Sequence, residues 1–216
     1  AVAGPQVSFG PSTSANTYVL AQAVRQWLRG ANAAIVVTNQ DHEANSGVWR
    51  RLADEGIEVR EWQIDPVTGS LDPAGLAALL ADGRVKLVAF PHCSNVVAEI
   101  NDVSAICEIA RAAGARTVVD GVSYAPHGFP DFPGLGCDVY LFSAYKTYGP
   151  HQGIMVITED FGAEQAVTLR LEGAVIDGLR LLHLAVRPRA DLLGRGEPDA
   201  DGVEFLGRLD LLEQFE

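Results

Sequence analysis

The chain has 216 residues, 48% of them hydrophobic and 20% charged, enough for one large domain with a sizeable core. A formal net charge of −12 argues against nucleic-acid or anionic-membrane partners, both of which need a basic surface. Three widely spaced cysteines exclude a disulfide framework, and no apolar run reaches the roughly 18 residues of a bilayer-crossing helix.

The amino end carries no basic, apolar leader, so the cytoplasm is the default location. It opens Ala1-Val2-Ala3-Gly4-Pro5 without an initiator methionine, which reads as a start partway through a longer protein. Helical spacing follows over residues 13–28, then a buried strand over 33–38 and a helix over 44–55. A strand at 59–63, a helix at 73–80 and a strand at 86–91 continue the alternation. Residues 102–113 form a helix that starts on the capping Asp102 and stops at Gly114. Strands at 117–120, 139–143 and 154–157 come next. Beyond them a helix over 163–184, a polar linker over 187–202 and a closing helix over 203–215 are expected.

Such alternation predicts an α/β three-layer sandwich with a mostly parallel sheet. Residues 1–160 make the large domain, and 161–216 form a helical or linker segment, a truncated or atypical small domain. Ligands of such sheets bind beyond the carboxyl ends of the strands, and the chemically capable residues fall there. Phe9-Gly10-Pro11-Ser12-Thr13-Ser14 opens the first helix; its amides and hydroxyls suit an anion, or simply cap the helix. In Asp41-His42-Glu43-Ala44-Asn45, after the first strand, His42 can stack on a planar ring and help move a proton, or lie on the surface at a helix start. Asn95 ends Pro91-His92-Cys93-Ser94-Asn95 as a donor for a phenolate oxygen. His92 beside Cys93 suggests zinc or a nucleophile pair. Adjacent residues of an extended segment point to opposite faces, however, and no metal-ligand spacing accompanies them, so no metal is expected.

Asp120 closes an apolar strand, where a carboxylate is costly unless a cation meets it; a turn cap is its plainer use. Lys146, in Ser143-Ala144-Tyr145-Lys146, is one of only two lysines in a chain whose other basic residues are arginine. An ammonium can release its proton and attack a carbonyl, which a guanidinium cannot. Just past a buried strand, Lys146 is expected to be partly desolvated, which favours the nucleophilic amine. Lys86 opens a strand and reads as solvent-facing. Together, Asp120 and Lys146 suggest an aldehyde cofactor, the lysine forming a Schiff base and the aspartate holding a ring nitrogen. No glycine-rich fingerprint follows the first strand, which argues against a dinucleotide.

Three blocks stand in order: Asp-His-Glu-Ala-Asn at 41–45, Tyr-Ala-Pro-His-Gly at 124–128 and Ser-Ala-Tyr-Lys at 143–146. The last continues to Gly149-Pro150-His151-Gln152-Gly153. Over residues 9–157 this pattern resembles the class V aminotransferase family of pyridoxal-phosphate enzymes, the cysteine desulfurase-like branch. The resemblance implies fold type I, with pyridoxal 5'-phosphate held as a Schiff base on Lys146. It implies Asp120 on the pyridine nitrogen, His42 stacked on the ring, and Asn95 and Ser123 facing the phenolic oxygen. Thr13, Ser14 and Ser143 hold the phosphate, and Lys146 shuttles the α-proton of an amino-acid substrate. A homodimer with the site at the subunit interface is implied as well. The implied reaction is carbon–sulfur cleavage or β-elimination. An epimerase of the isopenicillin-N type, a class V aminotransferase and a non-catalytic relative remain as alternatives. Two positions depart from the family: Tyr145 stands where histidine is common, and Ser123 where glutamine is common. No cysteine follows Cys137, although a desulfurase carries its sulfur-accepting thiol late in the chain. Arg187 and Arg189 are candidates for the substrate-carboxylate arginine.

Overall fold

The computed structural model describes residues 6–30 and 32–163. Its central strands are apolar at nearly every position, so both of their faces need cover. β2 (Ala34–Thr38) is buried at every residue, and β4 (Val85–Pro91) at all but one. Between these two the chain forms α2 (Glu43–Arg50), β3 (Glu58–Trp62) and α3 (Pro73–Leu80). After β4 come α4 (Val103–Ala112), β5 (Arg116–Asp120), the single turn α5 (Phe132–Leu135), β6 (Val139–Ser143) and β7 (Gly153–Ile157). A short β1 (Val7–Gly10) and the long α1 (Thr13–Gly30) precede them.

The strands form one sheet in the order β1-β7-β6-β5-β4-β2-β3. From β3 through β6 all neighbours are parallel; β7 runs antiparallel to β6, and β1 antiparallel to β7. Strand alternation splits the apolar side chains between two cores. Val36, Val88, Phe90, Val119 and Tyr140 pack with Leu76 and Leu80 of α3 and Ile106 and Cys107 of α4. Ile35, Val37, Leu87, Val118 and Leu141 pack with Leu20, Val24 and Leu28 of α1 and Trp49 of α2. Each large aliphatic or aromatic side chain fully buried this way contributes about 1.5–3 kcal/mol. Helix, sheet and helix therefore stack as the three layers the alternation predicted.

Each of the six expected strands forms within one residue of its predicted bounds. Several features differ from the expectation, the unforeseen single turn α5 among them. The helix expected over 44–55 stops at Arg50, and Arg51–Glu55 tightens into a 3-10 turn closed by Gly56 at φ 84°. β1 was not foreseen, because four residues carry too little periodicity to separate a strand from a loop. The antiparallel edge was not foreseen either. The helix expected over 163–184, the linker over 187–202 and the closing helix over 203–215 reach or lie beyond the described residues.

The chain leaves β2 for β3 on one side and returns to β4 on the other. Strand order thus reverses between β2 and β4, and a crevice opens beyond their carboxyl ends.

Candidate active site

Gly153 lets the first part of the site assemble. A Cβ there would lie 2.2 Å from the carbonyl carbon of Ser12 and 2.4 Å from the amide nitrogen of Thr13. Without one, β7 can lie against the start of α1. The buried Thr13 Oγ1 then comes within 2.7 Å of the buried Ser143 Oγ at the end of β6. Two hydroxyls at the amino end of an 18-residue helix make a cradle for an anion, and Ser14 stands exposed beside them.

The exit of β2 is held by a chain of side chains. One oxygen of Asp41 accepts from the His42 amide at 2.8 Å, and the other accepts from the Asn45 side chain. Asn45 Oδ1 in turn accepts from the Trp49 indole at 3.4 Å. His42 caps α2: its Nδ1 accepts from the Ala44 amide at 3.0 Å. That bond orients the exposed ring and puts the proton of the neutral imidazole on Nε2.

Asp120 closes β5 at 8% exposure, with Oδ1 accepting from the Val122 amide at 2.8 Å. Burial raises its pKa above the usual carboxylate range, against the pull of that amide, of His42 and of Lys146. Asp41 is raised as well, first by burial and then by the charge of Asp120; Asn45, the His42 amide and Arg50 oppose the rise. Neither carboxyl has an ion-pair partner among the described residues. Two carboxyls facing one cleft make a site that favours a cation.

Lys146 rides on a 3-10 turn, Ala144–Thr147, closed by Tyr148 in the left-handed region at φ 64°. Thr147 Oγ1 and the Gly149 amide both donate to the Ala144 carbonyl at 2.8 Å. The expected partial desolvation of Lys146 is not what forms: the side chain is exposed at the mouth of the cleft. β6 ends at Ser143, and the turn carries the lysine out of the sheet before it can be covered. Lys86 lies at the amino end of β4, where its ammonium donates to the Gly83 carbonyl at 3.1 Å. Lys146 is therefore the only one of the two lysines at the carboxyl edge.

All the expected residues line a single cleft: Thr13, Ser14, His42, Asn95, Asp120, Ser123, Ser143 and Lys146. Thr17, Asp41, Asn45, Cys93 and Tyr145 line it too and were not singled out as site residues. The i, i+4 spacing of Asp41 and Asn45 at the start of a helix was the available signal for that pair. Cys93 faces the cleft with its thiol pKa raised, chiefly by burial, whereas His92 turns away from it to bond Tyr140. Tyr145, 45% exposed, stacks on His151 with ring centroids 4.9 Å apart.

Residues 4–185 match the family model described as Aminotransferase class-V. A cysteine desulfurase of Yersinia pestis (strain Pestoides F) is 35% identical over 151 residues, covering 69% of this chain and 37% of that protein. The aminotransferase-like protein FGM3 of Gibberella zeae is 40% identical over 124 residues, covering 56% of this chain and 31% of its own length. Among solved structures, the apo cysteine desulfurase of Thermococcus onnurineus NA1 superposes with a TM-score of 0.65 at 27% identity, covering 73% of this chain and 39% of that one. The chain thus spans less than two fifths of the length of these relatives. Over four fifths of its own length falls within one family model, and the chain belongs to the class-V aminotransferase family.

Proposed function

We propose that this chain is the cofactor-binding part of a pyridoxal-phosphate-dependent enzyme of the cysteine desulfurase-like kind, acting on an amino acid by carbon–sulfur cleavage or β-elimination. One observation carries the reading: a single cleft gathers a buried carboxyl, a lysine amine and a hydroxyl pair at a helix start. The donor set fits the cofactor. The Thr13–Ser143 pair suits its phosphate, and the buried carboxyl of Asp120 suits a protonated ring nitrogen. When bound, pyridoxal phosphate supplies an aldehyde for the substrate amino group and a ring that withdraws electrons from Cα.

In this reading Thr13, Ser14 and Ser143 bind the phosphate at the start of α1. Asp120 holds the proton at the ring nitrogen, and the His42 ring walls one face of the cofactor. Asn95 and Ser123 donate to the phenolic oxygen. Lys146 anchors the cofactor through its amine, then holds and moves the proton at the substrate α-carbon. The exposed position of Lys146 at the mouth supports that second task, since an incoming substrate can reach it. The reading extends to a cytoplasmic homodimer, with residues 1–160 as the large domain and 161–216 leading into the small one. Exposed Val96 and Ile100, in the loop that carries Asn95, support an apolar subunit contact there.

The test mixes purified protein with pyridoxal phosphate, reduces with borohydride and maps the modified peptide. Label on Lys146, lost in Lys146→Ala, supports the reading; no label, or label on Lys86, defeats it. Release of alanine from cysteine would identify desulfuration among the reactions open to the family. Light scattering measures the subunit number.

A further inference from the structure

Behind the cleft lies a buried cluster that does not line it. His92, 6% exposed at the end of β4, stacks on Tyr124 with ring centroids 3.6 Å apart and planes 12° from parallel. Its Nδ1 lies 2.9 Å from the hydroxyl of Tyr140, which is 3% exposed on β6. Burial lowers the His92 pKa to about 4 and pushes the Tyr140 hydroxyl far above its ordinary range, and Cys137, Asp120, Tyr124 and Cys93, which face the phenol, add to that rise. One hydrogen bond joins the two rings, donated by the phenol or by the imidazole according to which ring nitrogen carries the proton.

The backbone ties this cluster to the site. The His92 amide donates to the Asp120 carbonyl at 2.8 Å, and the Gly121 amide donates to the Leu141 carbonyl at 2.7 Å. Tyr124 and Ala125 both donate to the Gly121 carbonyl, at 3.1 and 2.9 Å, closing the turn that presents Ser123. The Tyr140 ring occupies the space a side chain at 121 would need: a Cβ there would lie 2.1 Å from its Cζ. Asp120 and Ser123 thus hang on a turn gripped from β4 through Tyr124 and from β6 through Gly121.

We propose that His92, Tyr124 and Tyr140 form a clamp that positions Asp120 and Ser123, which makes His92 and Tyr140 positioning residues of the cleft. An apolar pair would fill the same space without burying polar groups. A hydrogen bond adds what packing alone lacks, a fixed direction between rings carried by two strands. The proposal rests on the reading of Asp120 and Ser123 as cofactor contacts, and its test separates the two claims.

Tyr140→Phe and His92→Phe remove the hydrogen bond from either end and keep a ring in place. Val139→Ala, which trims a fully buried side chain in the opposite core, serves as the matched loss of packing. Amide hydrogen exchange is read at Gly121, Val122 and Tyr124, with β2 as internal reference. The clamp predicts roughly tenfold faster exchange at those amides in both ring variants, and no such local change in Val139→Ala. Pyridoxal phosphate should bind Tyr140→Phe roughly tenfold more weakly than wild type, and Val139→Ala with unchanged affinity. Unchanged local exchange in both ring variants, or an affinity loss that Val139→Ala matches, overturns the clamp. If the wild type does not bind the cofactor, the functional reading falls, and the exchange contrast alone decides the clamp.

Discussion

Asp120 is poorly placed for stability. Its raised pKa means that the folded chain binds more protons there than the unfolded chain. The sign follows: its contribution is most favourable below the unfolded value of about 4 and worsens as pH climbs through the raised value. Asp41 acts in the same direction. Asp120→Asn keeps an acceptor for the Val122 amide and removes the charge. The cofactor-free variant should therefore melt higher than wild type at neutral pH and equally near about pH 4, a pattern calorimetry can check. The same change should abolish tight cofactor binding, the usual conflict between stability and a site built for a missing charge. His42 gives a second residue-scale prediction. Its Nδ1 caps α2, so His42→Ala should lose about 1 kcal/mol in urea unfolding, and His42→Asn, which can cap, much less. Equal losses would show that the ring matters by packing and not by its hydrogen bond.

At the scale of elements, the contact between β7 and α1 decides whether the anion cradle exists. Gly153→Ala drives a methyl into the backbone of Ser12 and Thr13, and should cost about 1–3 kcal/mol. The loss is expected in urea unfolding, together with weaker cofactor affinity, because Thr13 would move off Ser143. A cap on the far side of the sheet should behave differently. Asp102 accepts from the Ala105 amide at 3.1 Å, so Asp102→Ala should cost about 1 kcal/mol and leave cofactor affinity unchanged. The parallel strands and three of the helices were legible because their signals are local: buried runs of β-branched residues, a capping aspartate, a glycine at the stop. β1 was not, since its four residues become a strand only by pairing with β7, more than 140 positions later. The early end of α2 was equally hidden, because the 3-10 turn that follows depends on how Leu52 reaches the core.

Across the whole molecule, 28 acidic residues face 16 basic ones. Exposed ion pairs such as Arg84 with Glu58 relieve little of this excess, since solvent screens them. Repulsion should therefore outweigh attraction, and raising ionic strength from about 0.01 to 0.15 M, which shortens the screening length from about 30 to 8 Å, should raise the melting temperature. A fall on adding salt would mean that the ion pairs dominate. Helix and strand periodicity, charge and the residues at strand ends are written locally, so the chain order alone determined the layered class and the edge where a ligand would sit. Which of those edge residues meet was decided by packing: Thr13 touches Ser143 across 130 positions only because Gly153 has no side chain to hold them apart. The same holds for the second carboxyl at Asp41 and for the grip of His92 and Tyr140 on the Asp120 turn. Each depends on distances between strands, and a linear pattern of residue types does not encode those until the sheet has formed.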